Sequence, residues 1–496
     1  MLFRELLEGV EVLAVGGVAN PEIKGITCDS RQVRPGFLFV AVKGFTSDGH
    51  EYIGQAVRQG AAAVIAEREV ELFTETDWAL VADTRRVLAL LAARFYGHPS
   101  SKMKMVGVTG TNGKTTTTNL VASVLDAAGQ KVGLIGTIHN RIGEKILPVT
   151  HTTPESADLQ HLLARMAGEG VETCVMEVSS HALALHRVEG CEFDVAIFTN
   201  LTQDHLDFHR DMEGYLDAKL KLFSSLAAPG GHKTKKDAVI NADDPFAGRF
   251  IKATGGTVHT YGIHDFADVR AEDIQVFASG VRFTVRGKWG CWPLALKLTG
   301  MFNVYNALGA FTALAAMGVP PETIKDVLEN TAGVPGRFEL VNAGQDFSVI
   351  VDYAHTPDGL ENILKTARQI AKGRLITVFG CGGDRDRTKR PLMGGIAAGY
   401  SDFSILTSDN PRTEDPITIL RQIEEGVRAA AGKGGYAVEP DRRTAIRLAV
   451  GMAHRGDVVV IAGKGHEDYQ IIGTQKFPFD DRLEAAAALE EVKKGR

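Results

Sequence analysis

The sequence predicts an α/β fold of three consecutive units, the middle one built on a mostly parallel sheet. Three observations carry this. The chain has 496 residues, too many for one ordinary domain. Short unbroken apolar runs alternate with helix-like stretches, as strands buried on both faces do. Two Gly/Pro-rich punctuations, Tyr96–Ser100 and Gly333–Gly336, interrupt that alternation. They set units at residues 1–98, 99–334 and 335–496.

The first unit reads as a small α/β domain. It holds the apolar runs Phe37–Val42 and Ala61–Ala66 around the helix-like IGQAVRQGA. In the second, strands are expected at Met105–Thr109, Val132–Ile135, Cys174–Val178, Val195–Thr199 and Ala238–Ile240. Helices are expected at Thr115–Ala128 and Asp158–Glu169. Residues 263–298 differ, with short alternating segments and Gly breaks that suggest a β excursion. In the third unit the strands are Phe347–Val351, Leu375–Phe379, Phe403–Leu406 and Val458–Ile461.

Composition excludes several classes. With 44% hydrophobic and 23% charged residues the chain reads as soluble and globular. Net charge is 55 − 61 = −6, and the most basic stretch, His232–Lys236, reads as a solvated turn rather than a nucleic-acid patch. The five cysteines are widely spaced without a CxxC pair, against a disulfide framework or zinc site. Arg4, Glu5, Glu8 and Glu11 interrupt any signal-peptide core, and no apolar run nears the ~20 residues of a membrane span. A cytoplasmic protein without membrane insertion is expected.

The polar clusters have a common position. GTNGKTT, EVSSH, TNLTQDHLD, DYAHTP, GCGGDRD, TSDNPRTEDP and AGKGHEDYQ each follow the end of an expected strand. Ligand sites of open α/β sheets lie at those carboxyl ends. Two sheets facing across a cleft would gather all seven clusters.

Gly110, Thr111, Asn112, Gly113, Lys114, Thr115 and Thr116 follow a strand and open a helix, the context of a phosphate loop. Glycines turn backbone N–H groups toward phosphates, and the helix N-terminus adds partial positive charge. Lys114 would reach the β/γ-phosphates and Thr115 would offer its hydroxyl to Mg²⁺. Val108 stands where the usual pattern has its first Gly. Thr234–Asp237 matches a guanine-reading pattern but precedes its strand instead of following it.

Glu177, at a strand tip, suits either Mg²⁺ or a structural pair; Asp204 and His205 pose the same choice. Lys219, in YLDAKLKLF, reads by itself as a surface lysine. Asn303 and Asn306 flank a turn into a helix, for capping or for base recognition. Arg385 and Arg412 offer planar forks that pair with carboxylates. Together with Asp409 and Glu467 they suit a zwitterionic amino acid.

In this order, and with GMFNVYN and GRFE, the clusters resemble the Mur ligases along the whole chain. The likeness runs strongest to the branch that adds diaminopimelate. The resemblance implies an N-terminal domain holding a UDP end, a central P-loop ATPase domain and a C-terminal Rossmann-like domain holding an incoming amino acid. It implies an ATP-dependent amide ligase, monomeric, with ATP, a UDP-N-acetylmuramoyl dipeptide and meso-diaminopimelate as substrates. Thr115, Glu177, His205 and Lys219 match Mg²⁺-site positions, Lys219 as a carbamate formed with CO₂. Asn303, Arg337 and Asp352 match positions around the nucleotide, with His355 nearby. Cys28, Ser30, Phe45, Thr46, Ser47, His151, Thr152, Thr153, Ser179, Leu185 and Arg187 match the UDP-substrate contacts. His151 and Leu185 depart from the usual Asn and Gln there. Arg385, Asp409, Asn410, Pro411, Arg412, Gly463 and Glu467 match the amino-acid site.

DNPR discriminates within the family. Diaminopimelate has a second amino-carboxylate end for Arg412, whereas lysine ends in a plain ammonium. A lysine-adding ligase and a folylpolyglutamate synthetase are the alternatives, opposed by TCDSR and DNPR. A nucleotide switch would need no second cluster set after residue 335.

Overall fold

The computed structural model describes residues 1–45, 47–69, 76–149, 151–227, 231–264, 266–277, 279–430 and 434–495, without the side chain of residue 495. The expected Thr46 contact lies outside them. Among the described residues the strands form three sheets and one hairpin.

The N-terminal sheet contains β1 (Ala14–Gly16), β2 (Gly25–Thr27), β3 (Phe37–Val40), β4 (Ala63–Ala66) and β5 (Asp77–Leu80). Its order is β1-β5-β4-β3-β2, parallel except for β1.

The central sheet is larger. It contains β6 (Lys104–Thr109), β7 (Val132–Ile135), β8 (Asn140–Ile142), β9 (Lys145–Leu147), β10 (Thr173–Glu177), β11 (Val195–Phe198), β12 (Asp237–Asn241) and β13 (Thr257–Gly262). It continues with β14 (Val269–Phe277), β15 (Gly280–Gly287) and β16 (Gly290–Leu296). The order is β16-β15-β14-β13-β12-β11-β6-β10-β7-β8-β9. From β14 to β7 the pairs are parallel, and the flanks are antiparallel. The expected β excursion is thus the meander β14–β16 at one edge.

Alternation along the strands splits the core. Val106, Val108 and Ile197 face helices Lys114–Ala127 and Met301–Ala316, meeting Leu120, Val124, Leu308 and Phe311. Met105, Ala196 and Phe198 face helices Ser156–Gly168 and Met212–Ser224, meeting Leu163, Leu216 and Phe223. Burial of both faces explains why the parallel strands read as unbroken apolar runs.

The third sheet contains β17 (Glu339–Val341), β18 (Ser348–Asp352), β19 (Leu375–Phe379), β20 (Phe403–Leu406), β21 (Gly435–Val438) and β22 (Val458–Ala462). Its order, β17-β18-β22-β19-β20-β21, is parallel apart from β17. Helix Pro357–Ile370 shows how such sequence folds. Thr356 caps it by accepting from Gly359 N at 3.1 Å, Pro357 opens it, and Leu360, Ile363, Leu364 and Ala367 bury one face. The hairpin β23 (Tyr469–Ile472) and β24 (Gln475–Pro478) follows the last core strand.

Two sequence readings change. Asn303 and Asn306 do not flank a turn; both lie inside helix Met301–Ala316. Asn303 Nδ2 donates to Thr299 O at 2.8 Å, bracing the preceding turn so that the helix starts at Met301. The His232–Lys236 turn is not wholly solvated, because Lys233 is drawn in to pair with Asp194. It lies before β12, at the opposite strand ends from the phosphate loop. No helix among the described residues is long and apolar enough to cross a membrane.

Candidate active site

β6 delivers the phosphate loop. Val108 is the penultimate residue of the strand and pairs with Ile197 and Glu177. The chain turns only at Gly110, which makes the loop shorter than the usual pattern. Gly110 has φ +150° and Gly113 φ +88°. A Cβ at Gly110 would collide with Thr199 Oγ1, and one at Gly113 with Asn306 Oδ1. Only glycine fits either place.

The loop is held from beside. Thr111 N donates to Asn200 O at 2.8 Å, and Asn112 N to Asn200 Oδ1 at 2.9 Å. Thr199 Oγ1 donates to Asn112 O at 2.6 Å. Across to the third unit, Asn112 Nδ2 donates to Asp358 Oδ2 at 2.6 Å.

Lys114 Nζ donates to Gly110 O at 2.9 Å and Thr111 O at 2.8 Å. Lys219 is no surface lysine. It is 1% exposed in helix Met212–Ser224, and its Nζ donates to the same Gly110 O at 2.7 Å. Burial lowers the Lys114 pKa; burial and then the Lys114 charge lower that of Lys219 well below the ordinary lysine value. Helix packing onto the loop decides this, which a local sequence window does not show.

Glu177 ends β10 and is 1% exposed. It accepts from Thr115 Oγ1 at 2.9 Å, Thr137 N at 2.8 Å and Thr137 Oγ1 at 3.1 Å. Arg337 Nη2 donates to Thr115 Oγ1 at 3.0 Å, another link from the third unit. Asp352 is half-buried, desolvation there raises its pKa, and it accepts from Phe338 N at 2.7 Å.

Three adjoining cavities meet here. One of about 150 Å³ is lined by Thr115, Thr152, Glu177, Ser179, His205 and Lys219. One of about 270 Å³ is lined by Asn112, Thr116, Phe302, Tyr305, Asn306 and Asp352. They share Arg337, Tyr353 and His355. The largest, about 720 Å³, holds Arg385, Asp409, Asn410, Arg412, Gly463 and Glu467, and shares Asp204 and His205 with the first. The strand-end clusters therefore do converge.

Mg²⁺ needs hard oxygen donors, commonly one or two carboxylates beside substrate phosphates. Among the described residues no three His, Cys, Asp or Glu side chains converge as a ready-made metal cage. The bonded Thr115 hydroxyl and Glu177 carboxylate at the mouth of the phosphate loop are oxygen donors of the kind that could hold a phosphate-borne Mg²⁺. His205 lines the same space, its imidazole pKa lowered by burial.

Thr153 Oγ1 donates to Glu177 O at 2.9 Å, and Thr137 Oγ1 meets Thr152 Oγ1 at 3.1 Å. Arg187 donates to Thr153 O at 3.0 Å and Glu155 Oε1 at 2.6 Å. Ser179 caps helix Ser180–Ala184, Leu185 closes it, and His151 is exposed. Ser30 Oγ donates to Gln55 at 3.4 Å, and burial pushes the Cys28 thiol up to about 12. Ser47 O accepts from Gly44 N at 2.8 Å. Cys28, Ser30, Ser47, His151, Thr153, Leu185, Arg187, Asn303 and Pro411 line none of these cavities. Phe45 instead enters the largest cavity, its ring 5.6 Å from that of Phe208.

Asn306 lines the cavity of about 270 Å³, and its Nδ2 donates to Asn303 Oδ1 at 3.1 Å. Helical spacing was the available signal for Asn306. Phe302, Tyr305 and Ile363 line that cavity too, and in sequence they are indistinguishable from core residues of a helix.

Residues 22–96 match the description "Mur ligase family, catalytic domain", 108–314 "Mur ligase middle domain" and 336–465 "Mur ligase, glutamate ligase domain". A UDP-N-acetylmuramoyl-L-alanyl-D-glutamate--2,6-diaminopimelate ligase of Geobacillus thermodenitrificans is 52% identical over 472 residues, covering 95% of this chain and 96% of the relative. A solved structure of a ligase with that name is 34% identical, covers 99% of both chains and superposes with TM-score 0.70. A MurF ligase from Thermotoga maritima in complex with ADP shares the fold, at TM-score 0.65 and 20% identity over 95% of this chain and 98% of the other.

Proposed function

This chain belongs to the Mur ligase family, and from that premise we propose that it joins meso-2,6-diaminopimelate to UDP-N-acetylmuramoyl-L-alanyl-D-glutamate in peptidoglycan synthesis. ATP is converted to ADP and phosphate. The observation that carries the reading is the charge pattern of the largest cavity. Arg385 and Arg412 offer forks for carboxylates, and Asp409 and Glu467 offer acceptors for ammonium groups. An amino acid with a carboxylate at both ends complements that set; lysine leaves one fork unpaired.

The chemistry answers a simple obstacle. A carboxylate is a poor electrophile, so the γ-phosphoryl group moves to the D-glutamate carboxylate and gives an acyl phosphate. The diaminopimelate amine attacks its carbonyl carbon, and phosphate leaves from the tetrahedral intermediate. Such transfer depends on alignment and charge neutralisation. Lys114, donating to carbonyls of its own loop, is poised to turn to the phosphates. Thr115 and Glu177 would hold Mg²⁺, with His205 and a carbamylated Lys219 beside them. Bound Mg²⁺ supplies neutralisation of phosphate charge. Arg337 and Asp352 border the nucleotide cavity, where Asn306 and Phe302 suit a base.

The domains divide the work: residues 1–98 hold the UDP end, 99–334 ATP and 335–496 the amino acid. Thr152 and Ser179 line the cavity beside Glu177, and with Ser30, Thr153 and Arg187 they are assigned to the UDP-dipeptide by likeness to the family. The reading puts a monomeric enzyme in the cytoplasm. Mass spectrometry of a reaction with all three substrates tests it. The amide-linked tripeptide with equimolar phosphate is expected, and ATP hydrolysis without amide product would contradict it.

A further inference from the structure

Arg412 occupies a backbone conformation that arginine seldom takes. Its φ is +52°, in the left-handed region where a side chain crowds the backbone. Such strain persists only where the surroundings over-determine it. The hairpin β23–β24 does so, and among the described residues it pairs with no other sheet. Arg412 N donates to Ile471 O at 3.1 Å, and Gly473 N donates to Arg412 O at 2.7 Å. Gln470 Nε2 donates to Asp409 O at 2.8 Å, and Ile471 N to Asn410 Oδ1 at 2.9 Å. From the other side, Arg412 Nη1 donates to Gly383 O at 2.8 Å.

Four bonds thus tie one edge of the hairpin to Asp409, Asn410 and Arg412. Gln470, Ile471 and Gly473 line none of the three cavities, so any effect they have on substrate passes through the residues they hold. An arginine on a free loop would lose rotamer and backbone freedom when it met its ligand, and pre-ordering removes that cost from binding. We propose that the β23–β24 hairpin is a positioning device that presets Arg412 and Asp409 for an incoming amino acid with a carboxylate at its far end. This deepens the diaminopimelate reading and rests on it.

The test uses the full-length enzyme with Gln470→Leu, Arg412→Ala and the double variant. Loss of the Gln470 bond is expected to raise KM for meso-diaminopimelate about tenfold while kcat changes less than about threefold. KM for ATP is expected to stay at the wild-type value. In the Arg412→Ala background, Gln470→Leu is expected to add less than it does alone, since the Asp409 it holds then meets an amino acid whose far carboxylate has lost its partner. An unchanged KM in folded Gln470→Leu enzyme, with Arg412→Ala strongly impaired, would overturn the hairpin inference alone. An equal further loss in the double variant would do the same. Unimpaired Arg412→Ala would overturn the substrate reading and the inference with it. Hydrogen exchange on the wild-type enzyme keeps the test open if Gln470→Leu fails to fold. The Arg412 amide is expected to be protected without amino acid present, and free exchange there would refute the clamp.

Discussion

Lys114 and Lys219 donate to one and the same oxygen, the carbonyl of Gly110, at 2.9 and 2.7 Å. Two buried amines crowd one acceptor, and the Lys114 charge disfavours a positive charge on Lys219. The arrangement relaxes if Lys114 turns to a phosphate and Lys219 gives up its positive charge. Carbamate formation would do the latter, and would place an anion in the cavity that Glu177 and His205 line.

Replacing Lys219 by alanine should therefore remove most activity, by about 100-fold or more in kcat, as loss of a positioned charge does. Formate or acetate should restore part of it by filling the vacated space with a carboxylate. Lys219→Arg should remain inactive in both conditions, since a guanidinium does not form the carbamate. Steady-state kinetics with added short acids measures this, and full activity of Lys219→Ala would remove the carbamate from the account.

Glu177 accepts from Thr115 Oγ1 at 2.9 Å. Glu177→Gln keeps the shape and removes the charge. Its kcat/KM is expected to fall by roughly 10²–10³, with a higher Mg²⁺ concentration needed for half-maximal rate. A Mg²⁺ titration curve identical to wild type would count against Thr115 and Glu177 as the metal donors.

Glu414 supports a wall of the largest cavity through Arg390, which also donates to Gly382 O at 3.1 Å. Fully buried Arg390 donates to Glu414 at 2.9 and 3.1 Å, and Asp384 N at 2.6 Å. The hydrogen bond from Arg390 is the largest cause holding its carboxyl at about 2, below the usual 4.5. A depressed folded-state pKa gives stability that is present above the unfolded value and lost as pH falls toward the folded one. Wild type and Glu414→Gln should differ in urea midpoint near neutral pH, and converge as pH falls from about 4.5 to about 2. A midpoint difference that persists at the acid end would contradict the assignment.

Much of this was legible in sequence, and for a physical reason. Parallel strands buried on both faces give unbroken apolar runs, so Val195–Phe198 and Val458–Ala462 could be located and the clusters beyond them followed. Glu177 was readable because a carboxylate at such a strand end is unusual. Lys219 was not, because its burial comes from how helix Met212–Ser224 meets a loop 109 residues away in sequence. Arg412 was readable as a fork, but its left-handed backbone was not, since hairpin bonds from Ile471 and Gly473 hold it. Phe45 was assigned by likeness alone, and its approach to Phe208 depends on how two units meet.

The most direct measurement is phosphate release from ATP with the UDP-N-acetylmuramoyl dipeptide and a panel of amino acids. Turnover with meso-diaminopimelate is expected, with kcat/KM for L-lysine lower by about 100-fold or more, because Arg412 would be left without its carboxylate. Equal kcat/KM for the two amino acids would contradict the account.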